Sequence, residues 1–332
     1  MIACRDPASL TKPDEKYLIV ATHSGKFHAD DVMCLALVSL FSSKPVVFIR
    51  TRDENVFSKC HMVLDVGNKD FYGKHHLRLD HHQTLEDYIV NGKVKSGTKD
   101  KLYYKNGLKK ATCGKLADWM FLGISNSFLD FLRSKVLYCL EAKDNGISII
   151  GKINRDINGN PYPLGFVSLM NPSSQECKMH GTSIATRACF IKAEEMTKKI
   201  LIRIIEEFEA RENNNKILDE MIKEVSSKKA RYFINEGVPM SNLEEYIVSW
   251  NNSVSNKKRI ISLMQRAFGE DDLWVVKTIA GYSIPLDWRN KDKLYLQQKS
   301  GYTSIQKVIC NLAVFSDKDE AEDFVKKLAN KK

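Results

Sequence analysis

Short apolar runs that end at polar residues characterise the first third of the chain. Three of these runs, at residues 17–21, 46–49 and 62–66, have the length and the β-branched content of buried strands. A periodic apolar stretch at residues 32–41, which opens at Asp30, predicts a helix between the first two strands. This alternation predicts a parallel sheet, whose ligands bind beyond the carboxyl ends of the strands.

The rest of the chain has a mainly helical pattern that is followed by a mixed one. Apolar residues keep helical spacing from residue 182 to about 223, where we expect two amphipathic helices separated by the asparagines at 213–215. Residues 92–110 are rich in Lys and Gly and have no periodicity, which predicts an exposed loop. The other predicted elements are helices at about 112–122, 129–142 and 319–328 and strands at 273–279 and 308–315.

With 332 residues, of which 43% are hydrophobic, the chain is long enough to bury a full core and to form two lobes. Its formal net charge of +10 favours a polyanionic partner, because Lys and Arg attract phosphates over long distances. A basic surface without any ligand explains the same charge equally well. Composition therefore allows a nucleic-acid-binding function and does not establish one.

The eight cysteines are scattered along the chain and form no C-x-x-C pair. This distribution is typical of a reduced intracellular protein with buried thiols. The N-terminal segment has no unbroken apolar core, and no later run approaches the roughly 18 apolar residues of a membrane helix. We therefore expect an intracellular protein of the nucleus, the cytoplasm or the mitochondrion that does not insert into a membrane.

Histidines are concentrated near the N-terminus, since seven of the eight fall between His23 and His82. Residues 23–31 and 80–83 combine histidines with aspartates, and residues 65–67 and 144–146 each add a further aspartate. Imidazole and carboxylate groups suit borderline divalent ions such as Mn²⁺ and Zn²⁺. Each group lies where a loop leaves a strand or enters a helix, so the side chains can converge on one point.

Asp65 lies at the end of the predicted strand at 62–66. A bridging aspartate at such a position could hold two ions about 3.5–4 Å apart, the separation that clamps the attacking and leaving oxygens of a phosphoryl displacement. A lone histidine in a loop is usually a surface residue, and a lone aspartate after a strand is usually a helix cap. Four such groups in one segment favour a two-metal site over these separate explanations.

The four motifs occur in the order H-x-x-x-x-H-x-D, D-V-G, D-H-H-Q and D-N-G, and this order resembles the Myg exonuclease family, a branch of the DHH phosphoesterase superfamily. Matching pieces at residues 50–53, 169–172 and 286–289 extend the resemblance over most of the chain. It implies an α/β fold, with a DHH-type parallel-sheet catalytic lobe at residues 15–180. Residues 181–332 would form a helical connection and a smaller C-terminal α/β substrate-binding lobe.

The resemblance also implies a set of metal ligands. One ion would be held by His23, His28 and Asp65, and the other by Asp30, Asp65, His81 and Asp144. His82 would contact the substrate phosphate, and Asp80 would orient a ligand histidine. The wider superfamily commonly has an aspartate at the position of His28, so the nitrogen donor here favours Mn²⁺ as the metal, with Zn²⁺ or Mg²⁺ as alternatives.

Binding of the substrate is less clearly marked in the sequence. Arg52 could reach a substrate phosphate, although an ion pair with Asp53 in the same loop is the more common arrangement. Many superfamily members have a glycine-rich nucleic-acid-binding motif near the C-terminus, and residues 313–317 have no glycine pair. Thr84 stands where this family often has an arginine. Both departures concern the grip on the substrate and leave the metal ligands intact.

The function that the resemblance implies is a two-metal phosphodiester hydrolase that removes nucleotides from RNA in the 3′ to 5′ direction, acting on a single-stranded end during RNA processing. Tyr103, Tyr104 and Trp288 could stack on bases, or could belong to the core. The alternatives are a hydrolase of small phosphate compounds or short oligonucleotides, and a noncatalytic nucleic-acid-binding protein. Structural zinc normally has four ligands, often thiolates, so the many His and Asp candidates favour a catalytic site. The oligomeric state stays open.

Overall fold

The computed structural model describes residues 2–82, 89–90, 93–94, 102–105, 107–146, 165–228, 230–237, 240, 242–255, 259–267, 269–279, 284, 288, 291–309 and 311–330. Thr84 and three of the residues at 286–289 lie outside these ranges. The chain forms two compact units, Met1–Phe208 and Glu209–Lys332. Among the described helices, none is long and apolar enough to cross a membrane.

A five-stranded sheet forms the centre of the first unit. Its strands are β1 (Leu18–Thr22), β2 (Val46–Arg50), β3 (Met62–Leu64), β4 (Phe71–Tyr72) and β5 (Leu77–Leu79). They lie in the order β2-β1-β3-β5-β4, and all neighbours are parallel except β4, which runs antiparallel to β5 at the edge. This confirms the parallel sheet and the α/β class that the apolar runs predict.

Helix α1 (Ala29–Phe41) follows β1 and begins three residues before the predicted stretch at 32–41. The earlier start has a local cause, because Oδ1 of Asp31 accepts the backbone N–H groups of His28 and Val32 at 2.9 and 3.0 Å. Such a carboxylate satisfies amide groups that have no partner within the helix. The extra turn brings Asp30 and Asp31 into the helix.

Six further α-helices of the described residues begin in the first unit, and the last of them continues into the second. They are α2 (Glu54–Phe57), α3 (Thr112–Phe121), α4 (Asn126–Leu132), α5 (Tyr138–Asp144), α6 (Ser174–His180) and α7 (Thr182–Ser227). A π-helical turn, Arg133–Leu137, joins α4 to α5, so the helix predicted at 129–142 corresponds to a helical segment from Asn126 to Asp144. Leu35, Leu37, Leu116 and Leu140 from these helices and α1 are buried in one core.

The prediction of two helices separated at residues 213–215 is wrong, because α7 runs unbroken from Thr182 to Ser227. Asparagine is only mildly unfavourable within a helix, and its main drawback is competition of its amide with the backbone. Here the amides of Asn214 and Asn215 instead exchange hydrogen bonds with the side chain of Asn242, at 3.1 and 2.8 Å. Their hydrogen-bonding capacity is therefore used outside the helix.

The second unit contains a five-stranded sheet and three further helices. Its strands are β8 (Tyr232–Asn235), β9 (Ser262–Ala267), β10 (Glu270–Thr278), β11 (Ile305–Ile309) and β12 (Leu312–Phe315). The numbers β6 and β7 belong to a small hairpin of the first unit, Ile89–Val90 and Lys93–Val94. The helices are α8 (Leu243–Ser253), α9 (Lys293–Ser300) and α10 (Lys318–Asn330). The sheet order is β11-β12-β10-β9-β8.

The single strand expected at 308–315 is also wrong, since the chain there forms the antiparallel pair β11 and β12. The side chain of Asn311 donates a hydrogen bond to the carbonyl of Thr278 at 3.0 Å, and its own carbonyl accepts the N–H of Thr278. Asn favours turns because its side chain can bond locally to backbone groups. The apolar residues on either side of it therefore pair with each other.

The loop expected at 92–110 falls largely outside the described residues. In its described part, Leu102 and Lys110 are buried, with 1% and 7% of their surfaces exposed. The Lys110 ammonium forms an ion pair with Asp118 at 2.8 Å. The end of this segment is therefore part of the packed unit and is not an exposed loop.

Candidate metal centre

Polar residues follow three adjacent parallel strands at their carboxyl ends. His23 follows β1, Asp65 follows β3, and Asp80, His81 and His82 follow β5. Because parallel strands end at the same edge of the sheet, these loops meet. The sheet therefore brings together residues that are far apart in sequence.

Asp30 is held by the beginning of another helix. Its side chain is fully buried, and its two oxygens accept the backbone N–H groups of Thr112 and Cys113 at 3.0 and 2.7 Å. These amides lie in the first turn of α3, where the helix dipole stabilises negative charge. These two hydrogen bonds hold the Asp30 side chain in place, with its Oδ2 4.0 Å from Nε2 of His81.

Asp65 has an unusual backbone conformation, with φ of 59°. The left-handed region is uncommon for residues other than glycine, although Asp and Asn enter it more readily than most. The N–H of Asp65 donates to the carbonyl of Leu79 at 2.9 Å, and the hydroxyl of Thr112 donates to its Oδ1 at 3.2 Å. Backbone strain of this kind is frequently found at functional sites.

His81 is the imidazole that lies among the carboxylates. Its Nε2 atom is 3.1 Å from Oδ2 of Asp144, 3.3 Å from Oδ1 of Asp65 and 4.0 Å from Oδ2 of Asp30. Two overlapping groups of potential ligand atoms result, Asp30-His81-Asp144 and Asp65-His81-His82, each within 4.8 Å. The structure thus brings together all four residues that the resemblance assigns to the second ion.

His23 lies on the other side of Asp65. Its Nε2 is 3.6 Å from Oδ2 of Asp65 and 3.1 Å from Oδ2 of Asp31, and its ring centre is 5.6 Å from that of His28. Burial lowers the pKa of His28, which favours the neutral imidazole that a metal requires. Asp31 is closer to His23 than Asp65 is, and the sequence marked it only by its place in an Asp-Asp pair.

His82 is paired with Asp80. Nδ1 of His82 is 2.6 Å from Oδ1 of Asp80, whose other oxygen accepts the N–H of Asn68 at 2.7 Å. Burial alone would raise the pKa of Asp80, but the hydrogen bonds from His82 and Asn68 lower it to about 2. The resemblance implied that Asp80 orients a ligand histidine, whereas in the structure it holds His82.

A buried ion pair between Asp70 and Lys115 contacts the backbone of Asp80. Asp70 accepts the backbone N–H of Asp80 at 2.9 Å, and its second oxygen pairs with the ammonium of Lys115 at 3.0 Å. Lys115 also donates to the carbonyl of Asp80. The side chains of Lys115 and Asp70 are only 2% and 3% exposed. The sequence gave no sign of this arrangement, because the two residues are 45 positions apart.

The electrostatics of the centre fit a bound cation. Burial, together with Asp30 and Asp31, raises the pKa of Asp65 well above its usual range, and burial with Asp30 raises the pKa of Asp144 to about 7. Among the described residues, neither Oδ2 of Asp144 nor Nδ1 of His81 has a hydrogen-bond partner. A divalent ion would neutralise the carboxylates and would use their free lone pairs. The donor set of imidazoles and carboxylates is therefore suited to a metal such as Mn²⁺.

A cavity of about 310 Å³ opens at this centre and is lined by His23, His28, Arg52, Asp65 and His82 among others. The side chain of His82 is 55% exposed, so its ring borders the solvent. Asp53 accepts the N–H of Asn55 as the cap of α2, and within the described part of the chain no ion pair joins it to Arg52. The local ion pair is thus absent, and Arg52 faces the cavity.

Other candidates from the sequence take structural positions. The Tyr104 hydroxyl donates to the buried Glu141 at 3.1 Å, and the Trp288 ring is stacked 6.2 Å from that of Phe324. His61 lies 2.7 Å from the carboxylate of Glu15. For Tyr104 and Trp288 the core alternative therefore describes the structure better than stacking on bases.

Comparison with known proteins identifies the same family as the order of the motifs does. The family model MYG1_exonuc, described as Uncharacterised protein family (UPF0160), matches residues 19–294. A Caenorhabditis elegans MYG1 protein is 33% identical over 145 residues, which are 39% of this chain and 39% of the relative. A Schizosaccharomyces pombe MYG1 protein is 32% identical over 39% of this chain and 40% of the relative. A human MYG1 exonuclease is 37% identical over 19% of this chain and 17% of the relative.

The aligned segments therefore span less than half of these relatives' own lengths. Among solved structures, a manganese-bound exonuclease RecJ aligns over 95% of this chain and 90% of its own, with 11% identity and a TM-score of 0.29. A score so far below 0.5 does not establish similar three-dimensional structures.

Proposed function

The chain belongs to the MYG1 exonuclease family, and from this membership and the geometry of its strand ends we propose that it is a metal-dependent phosphodiester hydrolase. The observation that carries the proposal is the convergence of Asp30, Asp65 and Asp144 on Nε2 of His81. Burial and mutual repulsion raise the pKa values of Asp65 and Asp144, and a bound cation would stabilise the ionised form of these closely spaced carboxylates.

We propose two divalent ions, with Mn²⁺ preferred and Mg²⁺ or Zn²⁺ as alternatives. The ligands proposed are His23, His28 and Asp65 for one ion and Asp30, Asp65, His81 and Asp144 for the other. When bound, the ions would activate water and stabilise the charge of the phosphoryl group. Asp31 would support the first group, because it contacts His23 and caps the helix that carries Asp30.

In this proposal His82 contacts the substrate phosphate, and Asp80 orients His82. The hydrogen bond that His82 donates to the Asp80 carboxylate raises the pKa of His82, which favours the protonated imidazole. With Nδ1 bonded to Asp80, the Nε2–H of the protonated ring is free to donate to a phosphate oxygen or to the leaving oxygen. Arg52, which lines the same cavity, would bind a phosphate oxygen.

For the substrate we propose the single-stranded end of RNA, degraded in the 3′ to 5′ direction during RNA processing. The net charge of +10 and the name "MYG1 exonuclease" of the human and bovine relatives support a nucleic acid. The test is incubation of the purified chain and Mn²⁺ with RNA and DNA that are labelled at either end. Shortening of RNA from the 3′ end is expected, and release of label from the 5′ end first would contradict the direction.

A hydrolase of small phosphate compounds or short oligonucleotides is the second candidate. It is favoured by the size of the cavity, because about 310 Å³ is at the small end for pockets that bury a drug-sized ligand. The same experiment with a dinucleotide and with pyrophosphate separates the two candidates. Faster turnover of the dinucleotide than of longer RNA would favour the second one.

We propose that the protein acts inside the cell, in the nucleus, the cytoplasm or the mitochondrion. The seven cysteines in the described part of the chain are free thiols, which supports a reducing compartment. Burial raises the pKa values of Cys34 and Cys113, so these thiols are neutral beside the metal centre.

A further inference from the structure

A second cavity, of about 560 Å³, lies in the first unit beside Ser24 and Gly25, which follow His23. It is formed by the loop after β1, by strand β2 and by the first turns of α7. Its lining includes two arginines, Arg50 and Arg187, and contains no acidic residue. Beside the apolar residues of β2, the lining therefore offers positive charge and hydroxyl groups, which suit an anion.

The beginning of α7 supplies one part of such a site. Gly181 precedes the helix, and its carbonyl accepts the N–H of Ala185 at 3.0 Å. The first amides of a helix have no intrahelical partner, and a glycine has no side chain with which to cap them. Thr182 and Ser183, whose amides are among these groups, line the cavity. A helix start with free amides attracts phosphate.

Arg50 supplies an independent indication of a ligand. Its side chain is only 9% exposed, it lines the cavity, and its Nε has no hydrogen-bond partner among the described residues. The guanidinium lies over the ring of Phe190 at 4.5 Å, and its NH2 donates to the carbonyl of Gly25 at 3.1 Å. A buried guanidinium with an unused donor is costly unless an anion or another acceptor binds it.

The same arginine connects the cavity to the metal centre. NH2 of Arg50 is 3.7 Å from Oδ2 of Asp31, and this oxygen is 3.1 Å from Nε2 of His23. An anion in the cavity would therefore lie beside the loop that carries His23. Arg187, which is exposed on α7 and has no ion pair with a described residue, would hold the anion from the other side.

We propose that this cavity binds a second phosphate of the nucleotide chain whose scissile phosphate lies at the metal centre. The proposal rests on the proposed phosphodiesterase function and specifies its substrate class, an oligonucleotide with at least two phosphates. Phosphate matches the lining because guanidinium groups, hydroxyls and helix amides all donate to it.

The test compares Arg187→Ala with Arg203→Ala, a matched control on the same helix whose guanidinium pairs with Glu206 on the exposed surface. The substrates are a dinucleoside monophosphate, which has one phosphate, and a trinucleoside diphosphate, which has two. Arg187→Ala should lower kcat/KM for the two-phosphate substrate about tenfold, mainly through KM, because a charge-assisted contact is lost. Its kcat/KM for the one-phosphate substrate should match that of the wild type, and Arg203→Ala should change neither.

The proposal would be overturned if Arg187→Ala and Arg203→Ala had the same kcat/KM values. It would also be overturned if Arg187→Ala lowered kcat/KM equally for both substrates, because Arg187 would then support the metal centre. If the wild-type chain hydrolyses neither these substrates nor end-labelled RNA, the proposed function fails separately. The cavity is then tested by titrating inorganic phosphate into the chain in EDTA. Weaker binding by Arg187→Ala than by Arg203→Ala would retain the anion site, and equal binding would refute it.

Discussion

Oδ1 of Asp80 accepts two hydrogen bonds from the same residue, one from Nδ1 of His82 at 2.6 Å and one from its backbone N–H at 3.0 Å. The carboxylate therefore fixes both the position of residue 82 and the orientation of its ring. Hydrogen bonds lower the pKa of Asp80 to about 2, so it stays ionised over the physiological range, and its contact with the ring raises the pKa of His82. The held ring lies with its centre 4.2 Å from that of His81, which faces the carboxylates of the metal centre.

The first prediction is that His82→Ala lowers the rate of hydrolysis and leaves metal binding intact. Loss of one preorganised donor to the phosphate typically reduces turnover about a hundred- to a thousandfold. Single-turnover kinetics and elemental analysis of the same preparation measure the two effects. If the variant loses a metal equivalent, His82 acts as a ligand in the Asp65-His81-His82 group instead.

The second prediction concerns the buried ion pair behind Asp80. Lys115→Met leaves Asp70 buried without its partner and should destabilise the chain by about 3–5 kcal/mol. Urea unfolding in EDTA measures this change in the free energy of unfolding. Lys135→Met is the control, because it removes a partly exposed pair with Glu207 and should cost about 0–1 kcal/mol. Equal losses in the two variants would show that the burial of Lys115 has no such effect.

The third prediction follows from the pKa of about 7 at Asp144. Without metal, the folded chain binds a proton at Asp144 that the unfolded chain releases near pH 4, so the contribution of this group to stability falls as pH rises from about 4 to about 7. Asp144→Asn should therefore stabilise the metal-free chain at pH 8 by at least about 1 kcal/mol, with little effect near pH 4. Urea unfolding in EDTA at both pH values gives this comparison.

The fourth prediction is that metal affinity rises with pH, whereas the contribution of Asp144 to the stability of the metal-free chain falls with pH. The proton on Asp144 competes with the ion, so binding should weaken as pH falls below about 7. Titration of Mn²⁺ at pH 6 and pH 8, with two equivalents expected at saturation, tests this. Affinity that is independent of pH would argue against Asp144 as a ligand.

The sequence predicted those parts of the site that depend on local pattern. The apolar run at 17–21 and the polar residues after it placed His23 at a strand end, and the same reasoning placed Asp65. Helix ends were less predictable: the three earlier residues of α1 depend on a hydrogen bond between Asp31 and the His28 amide. Lys115 and Arg50 could not be assigned from the sequence, because their roles depend on burial and on partners distant along the chain.

The final prediction is that Asp65→Asn abolishes hydrolysis while the chain stays folded. Asn enters the left-handed region as readily as Asp, so the backbone at φ 59° is not strained by the change. The amide oxygen can still accept the Thr112 hydroxyl that now bonds to Oδ1 at 3.2 Å. The change removes the charge between His23 and His81 and replaces one carboxylate oxygen with an NH2 group, so the proposed bridge between the two ions is lost.

Elemental analysis of Asp65→Asn should show a loss of bound metal, together with no detectable turnover of end-labelled RNA. The variant should also unfold at a urea concentration no lower than that of the metal-free wild type, because removal of a buried carboxylate near Asp30 and Asp31 relieves repulsion. Near-native turnover of Asp65→Asn would disprove the bridging role, because a single neutral oxygen donor cannot replace a shared carboxylate.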